Sequence, residues 1–220
     1  MMITFKDVKE NQAIAEYIRK ADSSLIALGY TEHSFAHVGK VVSVTEYIMK
    51  TLGFDAKDIE LAKIAAYMHD IGNLVNRVDH SQSGAIMAFR ILDNMGMEAA
   101  DIATVVTAIG NHDEGTGVPV NEMSAALILA DKSDVRRSRV RNRDESTFDI
   151  HDRVNYSVTH SNLVISDDKE EILLELEIDS NYSSVMDYFE IFMKRMILCR
   201  KAAERLGMRF RLKINGQILL

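Results

Sequence analysis

Tryptophan is missing from the 220 residues, and cysteine and proline occur once each, as Cys199 and Pro119. A single thiol cannot close an internal disulfide, so the chain reads as a cytoplasmic protein rather than a stapled secreted domain. One proline leaves little to interrupt helices. No apolar run approaches the roughly 20 residues that a membrane span needs. The opening residues carry charges from Lys6 onward without an apolar stretch, so no secretory leader is read. Basic residues are the minority, 26 Lys and Arg against 33 Asp and Glu, for a net charge of −7. That balance argues against general nucleic-acid binding. Repeats and low-complexity linkers are lacking too. What is there is ordinary globular composition, 47% hydrophobic and 27% charged, enough for one domain with a small appended lobe.

The first two thirds carry a 3.6-residue apolar period and predict helices. One covers about residues 10–28 (Ile14, Ile18, Ala21, Leu25), and a second runs from about 32 to 52 (His37, Val41, Val44, Ile48) and ends at Gly53. A third opens on Asp55 as N-cap and stops near Gly72, with Ile59, Ala62, Ala66 and His69 on its face. Three more are expected at about 81–96, 98–111 and 121–140. After about residue 150 the period becomes two. Ile172, Leu174, Leu176 and Ile178 alternate with other residues as a half-buried strand, paired with a strand over about 156–165. A long helix over about 183–206, a strand at Met208–Ile214 with a basic face (Arg209, Arg211, Lys213), and an Asn215–Gly216 turn follow. The expected fold is therefore α+β, mostly α. A core of about six helices (1–150) precedes a β-β-α-β antiparallel lobe (151–220) packed upon it.

Histidine is the informative residue, with five of the seven within the first 112 positions. His69 and Asp70 are adjacent at the end of an almost wholly apolar helix. Asp131 sits within the stripe of Leu127, Ile128 and Val135, where a carboxylate needs a cation or donors as company. His37 heads an apolar stripe, and His112 continues the line of Ile102, Val105 and Ile109. Taken singly, each histidine is more simply a satisfied core residue. Four helices that each turn an imidazole or carboxylate inward build a metal site. Without thiolates, the donor set suits Mn, Fe, Ni, Co, Zn or Mg and not a structural cysteine-type zinc site. Met68, Met87 and Met95 read as core.

The order His37, His69–Asp70, Asp131 on successive helices, within EHSFAHVGKVV, AAYMHDIGN and AALILADKSD, resembles the HD-domain superfamily of metal-dependent phosphohydrolases over roughly residues 30–140. The resemblance implies that these four residues bind a first divalent cation. It further implies that His80 and His112 help hold a second, with Asp70 bridging. Members that cleave cyclic dinucleotides carry paired histidines where this chain has Asn111–His112, and lysine where it has Asn73, so that substrate class does not follow. His33 competes with His37 as first ligand. His37 is preferred because it faces the core, which leaves His33 at the mouth. His151 and His160 read as surface or strand residues.

Between Lys132 and Arg143 six basic residues face one acid, Asp134. A charge run is usually a solvated face; as a functional feature, Lys132 and Arg137 are the candidates to neutralise substrate phosphate. The expectation is hydrolysis of a phosphate ester by a metal-activated water. Asp70 orients that water, and His80 or Asp113 is the candidate acid for the leaving group. The substrate expected is a small phosphorylated molecule such as a nucleotide, with one or two divalent ions, no membrane partner and a homodimer left open. The rival readings are a non-hydrolytic sensor of nucleotide or metal and, behind it, a di-iron oxygenase.

Overall fold

A computed structural model describes residues 3–220. Its helical part comprises α1 (Phe5–Glu10), α2 (Gln12–Ala27), α3 (Phe35–Leu52), α4 (Ala56–Met68), α5 (His80–Asn94), α6 (Ala99–Gly110), α7 (Glu122–Ser133) and α8 (Ile150–Ser157). A 3₁₀ turn, Ile71–Leu74, follows α4. Strands β1 (Val158–Ile165) and β2 (Glu171–Ile178), helix α9 (Val185–Arg205), and strands β3 (Arg209–Ile214) and β4 (Gln217–Ile218) complete the chain. The fold is α+β and mostly α, as the periodicity predicts. Among the described residues, no helix is long and apolar enough to cross a membrane.

Helix α7 is the axis. Every residue from Met123 to Ser133 is buried, as an all-round apolar helix requires. It packs against α3, α4, α6, α9 and β1. One continuous apolar core runs from Val8 on α1 to Ile214 on β3. Ser34, Asp55 and Asn121 cap α3, α4 and α7 through side chains that accept backbone N–H groups.

The structure corrects three expectations. The helix through the His–Asp pair stops at Met68, and the pair forms the junction between it and the 3₁₀ turn that follows, His69 as the C-cap of α4 and Asp70 as the N-cap of the turn. The helix expected to reach residue 140 stops at Ser133, because the Asp134 carbonyl accepts from the buried Arg139 guanidinium at 2.6 Å instead of continuing the ladder. The sheet is mixed rather than antiparallel throughout. In the order β1-β2-β3-β4, β1–β2 and β3–β4 are antiparallel, but β2–β3 is parallel. Helix α9 supplies the long crossover that parallel neighbours need. The basic face of β3 is neutralised within the sheet, Arg211 bonding Glu171 at 3.1 Å and Lys213 bonding Glu175 at 2.8 Å.

Candidate metal centre

Each histidine of the centre uses Nδ1 to bond an oxygen of its own surroundings. His69 Nδ1 meets the Ala66 carbonyl at 2.8 Å and His112 Nδ1 the Ile109 carbonyl at 2.7 Å, each three residues back in the last turn of the preceding helix. His80 Nδ1 meets the Arg77 carbonyl at 3.1 Å. His37, in the first turn of α3, meets the Asp134 carboxylate at 2.8 Å. A proton on Nδ1 leaves the Nε2 lone pair free, the arrangement of a metal-ligating imidazole with an oriented outer partner.

All four Nε2 atoms face carboxylate oxygens. His69 Nε2 lies 3.1 Å and His37 Nε2 3.7 Å from Asp70 Oδ2. Asp131 Oδ1 is 3.3 Å from His37 Nε2 and 3.8 Å from His69 Nε2. On the other side, Asp70 Oδ1 is 3.4 Å from His80 Nε2 and 3.8 Å from His112 Nε2, and those two nitrogens are 3.2 Å apart. The two oxygens of Asp70 thus serve two separate imidazole pairs. Asn73 donates to Asp70 Oδ1 at 2.9 Å and fixes its plane.

These residues fit a divalent ion. His37 Nε2 and His69 Nε2 are buried without a hydrogen-bond partner, a costly state for a nitrogen that nothing satisfies. Donor atoms about 2.1 Å from a shared ion are separated from one another by about 3–4 Å, the spacing found. Groupings able to hold an ion are His37, His69 and Asp70; His69, His112 and Asp131; and Asp70, His80 and His112.

The electrostatics agree. Burial pushes His80 down to about 4, against the pull of Asp70, so the imidazole is uncharged at neutral pH. Burial also opposes charge on His69, but Asp70 outweighs it and lifts the imidazole above its ordinary value. Burial disfavours charge on Asp131, yet Lys132, His37 and His69 hold its carboxyl well below the usual range. Carboxylates that stay ionised and favour positive charge on the imidazole beside them favour a metal ion there as well.

Seen from the sequence, His37, His69, Asp70, Asp131, His80 and His112 lie together. His33 stands outside the groupings, its ring 5.4 Å from that of His37, on the wall of the adjoining cavity. That cavity has a volume of about 450 Å³. Lys132 reaches it, held 2.6 Å from both Asp131 Oδ2 and Glu114 Oε2. Arg137 does not: its guanidinium bonds Asp179 at 3.2 Å and stacks on Tyr156 and Tyr182, so it is set aside as a substrate contact. Arg136, Arg139 and Arg141 are likewise spent on Glu32, Asp134 and Asp22. His151, read as surface, lines the cavity.

Sequence reasoning overlooked Asp134, Asn73, Arg195 and Arg77. The one acid in a basic run was a usable signal for Asp134, and an arginine interrupting the apolar α9 stripe was one for Arg195. Arg77, in an irregular segment, offered none.

The HD-domain profile matches residues 34–144, half of the chain. An uncharacterised protein of Methanocaldococcus jannaschii is 24% identical over 171 residues, covering 67% of this chain and 65% of that protein. The chain thus spans just under two thirds of that relative's length. A crystal structure of a predicted HD superfamily hydrolase from an uncultured Thermotogales bacterium superposes with a TM-score of 0.46 at 26% identity, over 57% of this chain and 68% of that one.

Proposed function

The chain belongs to the HD-domain family, and we propose that it is a metal-dependent phosphohydrolase acting on a small phosphate ester such as a nucleotide. The observation that carries the reading is the pair of buried, unpartnered Nε2 atoms of His37 and His69 aimed at Asp70 and Asp131. His37, His69, Asp70 and Asp131 would hold a first divalent ion, and His80 and His112, with Asp70 shared, a second. An ion bound there lowers the pKa of a coordinated water from about 16 towards about 7 and polarises a phosphoryl oxygen.

The protein's own groups do the rest. The four Nδ1 bonds hold the imidazole lone pairs inward, so little reorganisation is needed when ligands bind. Asp70 offers an oxygen to each imidazole pair. Lys132 keeps Asp131 ionised and adds positive charge to the cavity wall. Asp113 Oδ1, 4.0 Å from His80 Nε2, stands beside the second imidazole pair, where it would pass a proton from solvent water to the departing oxygen. The cavity is within the roughly 300–1,000 Å³ typical of small-molecule sites.

The test is to load the protein with Mn²⁺ or Fe²⁺, verify its metal content by elemental analysis, and screen nucleotides, phosphomonoesters and phosphodiesters for turnover. Asp70→Ala should abolish activity. Turnover that survives the change would overturn the assignment, and tight nucleotide retention without turnover would favour a sensor.

A further inference from the structure

We propose that Arg77 is the residue that grips the substrate's phosphate beside the second imidazole pair; this rests on the phosphohydrolase reading above. Four cations line the cavity: Arg77, Lys132, Arg139 and Arg195. Three are engaged by carboxylates. Lys132 lies between Asp131 and Glu114, Arg195 pairs with Glu114 at 3.3 Å, and Arg139 lies 3.7 Å from Asp134 and bonds two backbone carbonyls.

Arg77 differs. Among the described residues it makes no ion pair with a carboxylate, and its polar contacts are neutral. One Nη1 serves both: it donates to Asn73 Oδ1 at 3.2 Å and lies 3.4 Å from His80 Nε2. The guanidinium is steadied over the Tyr30 ring, 5.5 Å from its centroid. Among the described residues its other guanidinium nitrogens meet no acceptor.

Charge makes the arrangement specific. His80 Nε2 faces Asp70 and His112 as a candidate ligand, so a cation held by His80 would sit beside a guanidinium with no carboxylate paired to the latter. Two adjacent positive groups are stable together when an anion lies between them, and a guanidinium fork matches two phosphoryl oxygens. Asn73 links the parts: it donates to Asp70 Oδ1 and accepts from Arg77, so one side chain sets both the bridging carboxylate and the phosphate grip.

The experiment titrates inorganic phosphate into Mn²⁺-loaded protein by calorimetry, for wild type, Arg77→Met and Arg77→Lys, with metal content and melting temperature measured alongside. The expected result is phosphate binding by wild type that is weakened about tenfold to a hundredfold in Arg77→Met, the size of a lost charge-assisted bond. Arg77→Lys should recover part of the loss, with metal content unchanged. Where a substrate is in hand, the same loss should appear mainly in KM. Phosphate binding that is unaltered in Arg77→Met would overturn the Arg77 assignment and leave the hydrolase reading standing. A drop in Mn²⁺ content that matches the loss would also overturn it, since Arg77 would then be positioning His80. Wild-type protein that holds Mn²⁺ yet binds no phosphate would overturn both.

Discussion

Asp134 bears on the metal centre without facing it. Its carboxylate accepts the His37 Nδ1 proton at 2.8 Å and is itself held by Arg136 at 2.9 Å. Burial disfavours its charge, but His37 and Arg139 outweigh that and keep the carboxyl well below its usual range. Asp134→Asn keeps the shape and removes the charge that makes His37 a stronger donor. Metal affinity should fall about 10–100-fold, read by competition with a chelator, and the melting temperature should fall as well, because Arg136 and the buried Arg139 lose their carboxylate; unchanged affinity would show that Asp134 serves stability alone. Cys199 gives a second test at this scale. Burial pushes its thiol up to about 12, so native protein should not react with Ellman's reagent at pH 8, whereas protein unfolded in guanidinium should release one equivalent. Rapid labelling of the native state would mean that α9 opens readily. The six residues of the candidate centre are legible in the sequence because a His or Asp on an apolar face conflicts with its neighbours, and conflict is visible without coordinates. Arg77 is not legible: in an irregular loop no face is defined, and its distinction is the lack of a counter-charge, a property only of the folded chain.

The turn Ile71–Leu74 and α5 approach at the level of bare backbone. A Cβ on Gly72 would lie 1.9 Å from the His80 carbonyl oxygen and 2.5 Å from the Gly84 nitrogen. Neither neighbour is a flexible side-chain end, so α5 would have to move. Gly72→Ala should therefore destabilise the protein by about 1–3 kcal/mol or more, as overpacking does. It should also withdraw His80 from Asp70 while leaving His37, His69 and Asp131 in place. The measurements are thermal unfolding and the number of Mn²⁺ ions bound per chain, and unchanged values in both would contradict the contact. Elements with a clear period, α2 to α7 and α9, are legible from spacing alone. The departures have local causes. Helix α8 is short and polar, with Val154 as its one fully buried apolar side chain, so no stripe announces it. The end of α7 is set by Arg139 from beyond the helix, and the parallel β2–β3 pairing by the α9 crossover; both are tertiary choices.

Across the whole molecule, a chain of charges joins the C-terminal helix to the metal centre: Arg195 on α9, then Glu114, Lys132 and Asp131. The net charge of −7 hides this, because the basic run from Lys132 to Arg141 is paired internally, and Arg143 alone of the six is exposed without an ion pair among the described residues. Glu114 is the middle link. Burial pushes its carboxyl up, but Lys132 and Arg195 hold it well below the usual carboxylate range. A carboxyl with a depressed folded value binds protons more readily in the unfolded chain. Its stabilisation is therefore complete above about 4.5, the ordinary glutamate range, and is lost progressively as pH falls below that. Glu114→Gln leaves Lys132 with Asp131 alone and Arg195 without a carboxylate. At pH 7 the cost should be about 2 kcal/mol, less than the roughly 3–5 kcal/mol of breaking a fully buried pair, since 26% of the Glu114 side chain is exposed. Thermal unfolding of chelator-treated wild type and Glu114→Gln, followed from pH 7 to pH 3, should show a gap that is constant down to about pH 4.5 and narrows below it. A gap that stays constant to pH 3 would mean that the side chain contributes by shape rather than charge, and that α9 is tied to the centre by its apolar face alone.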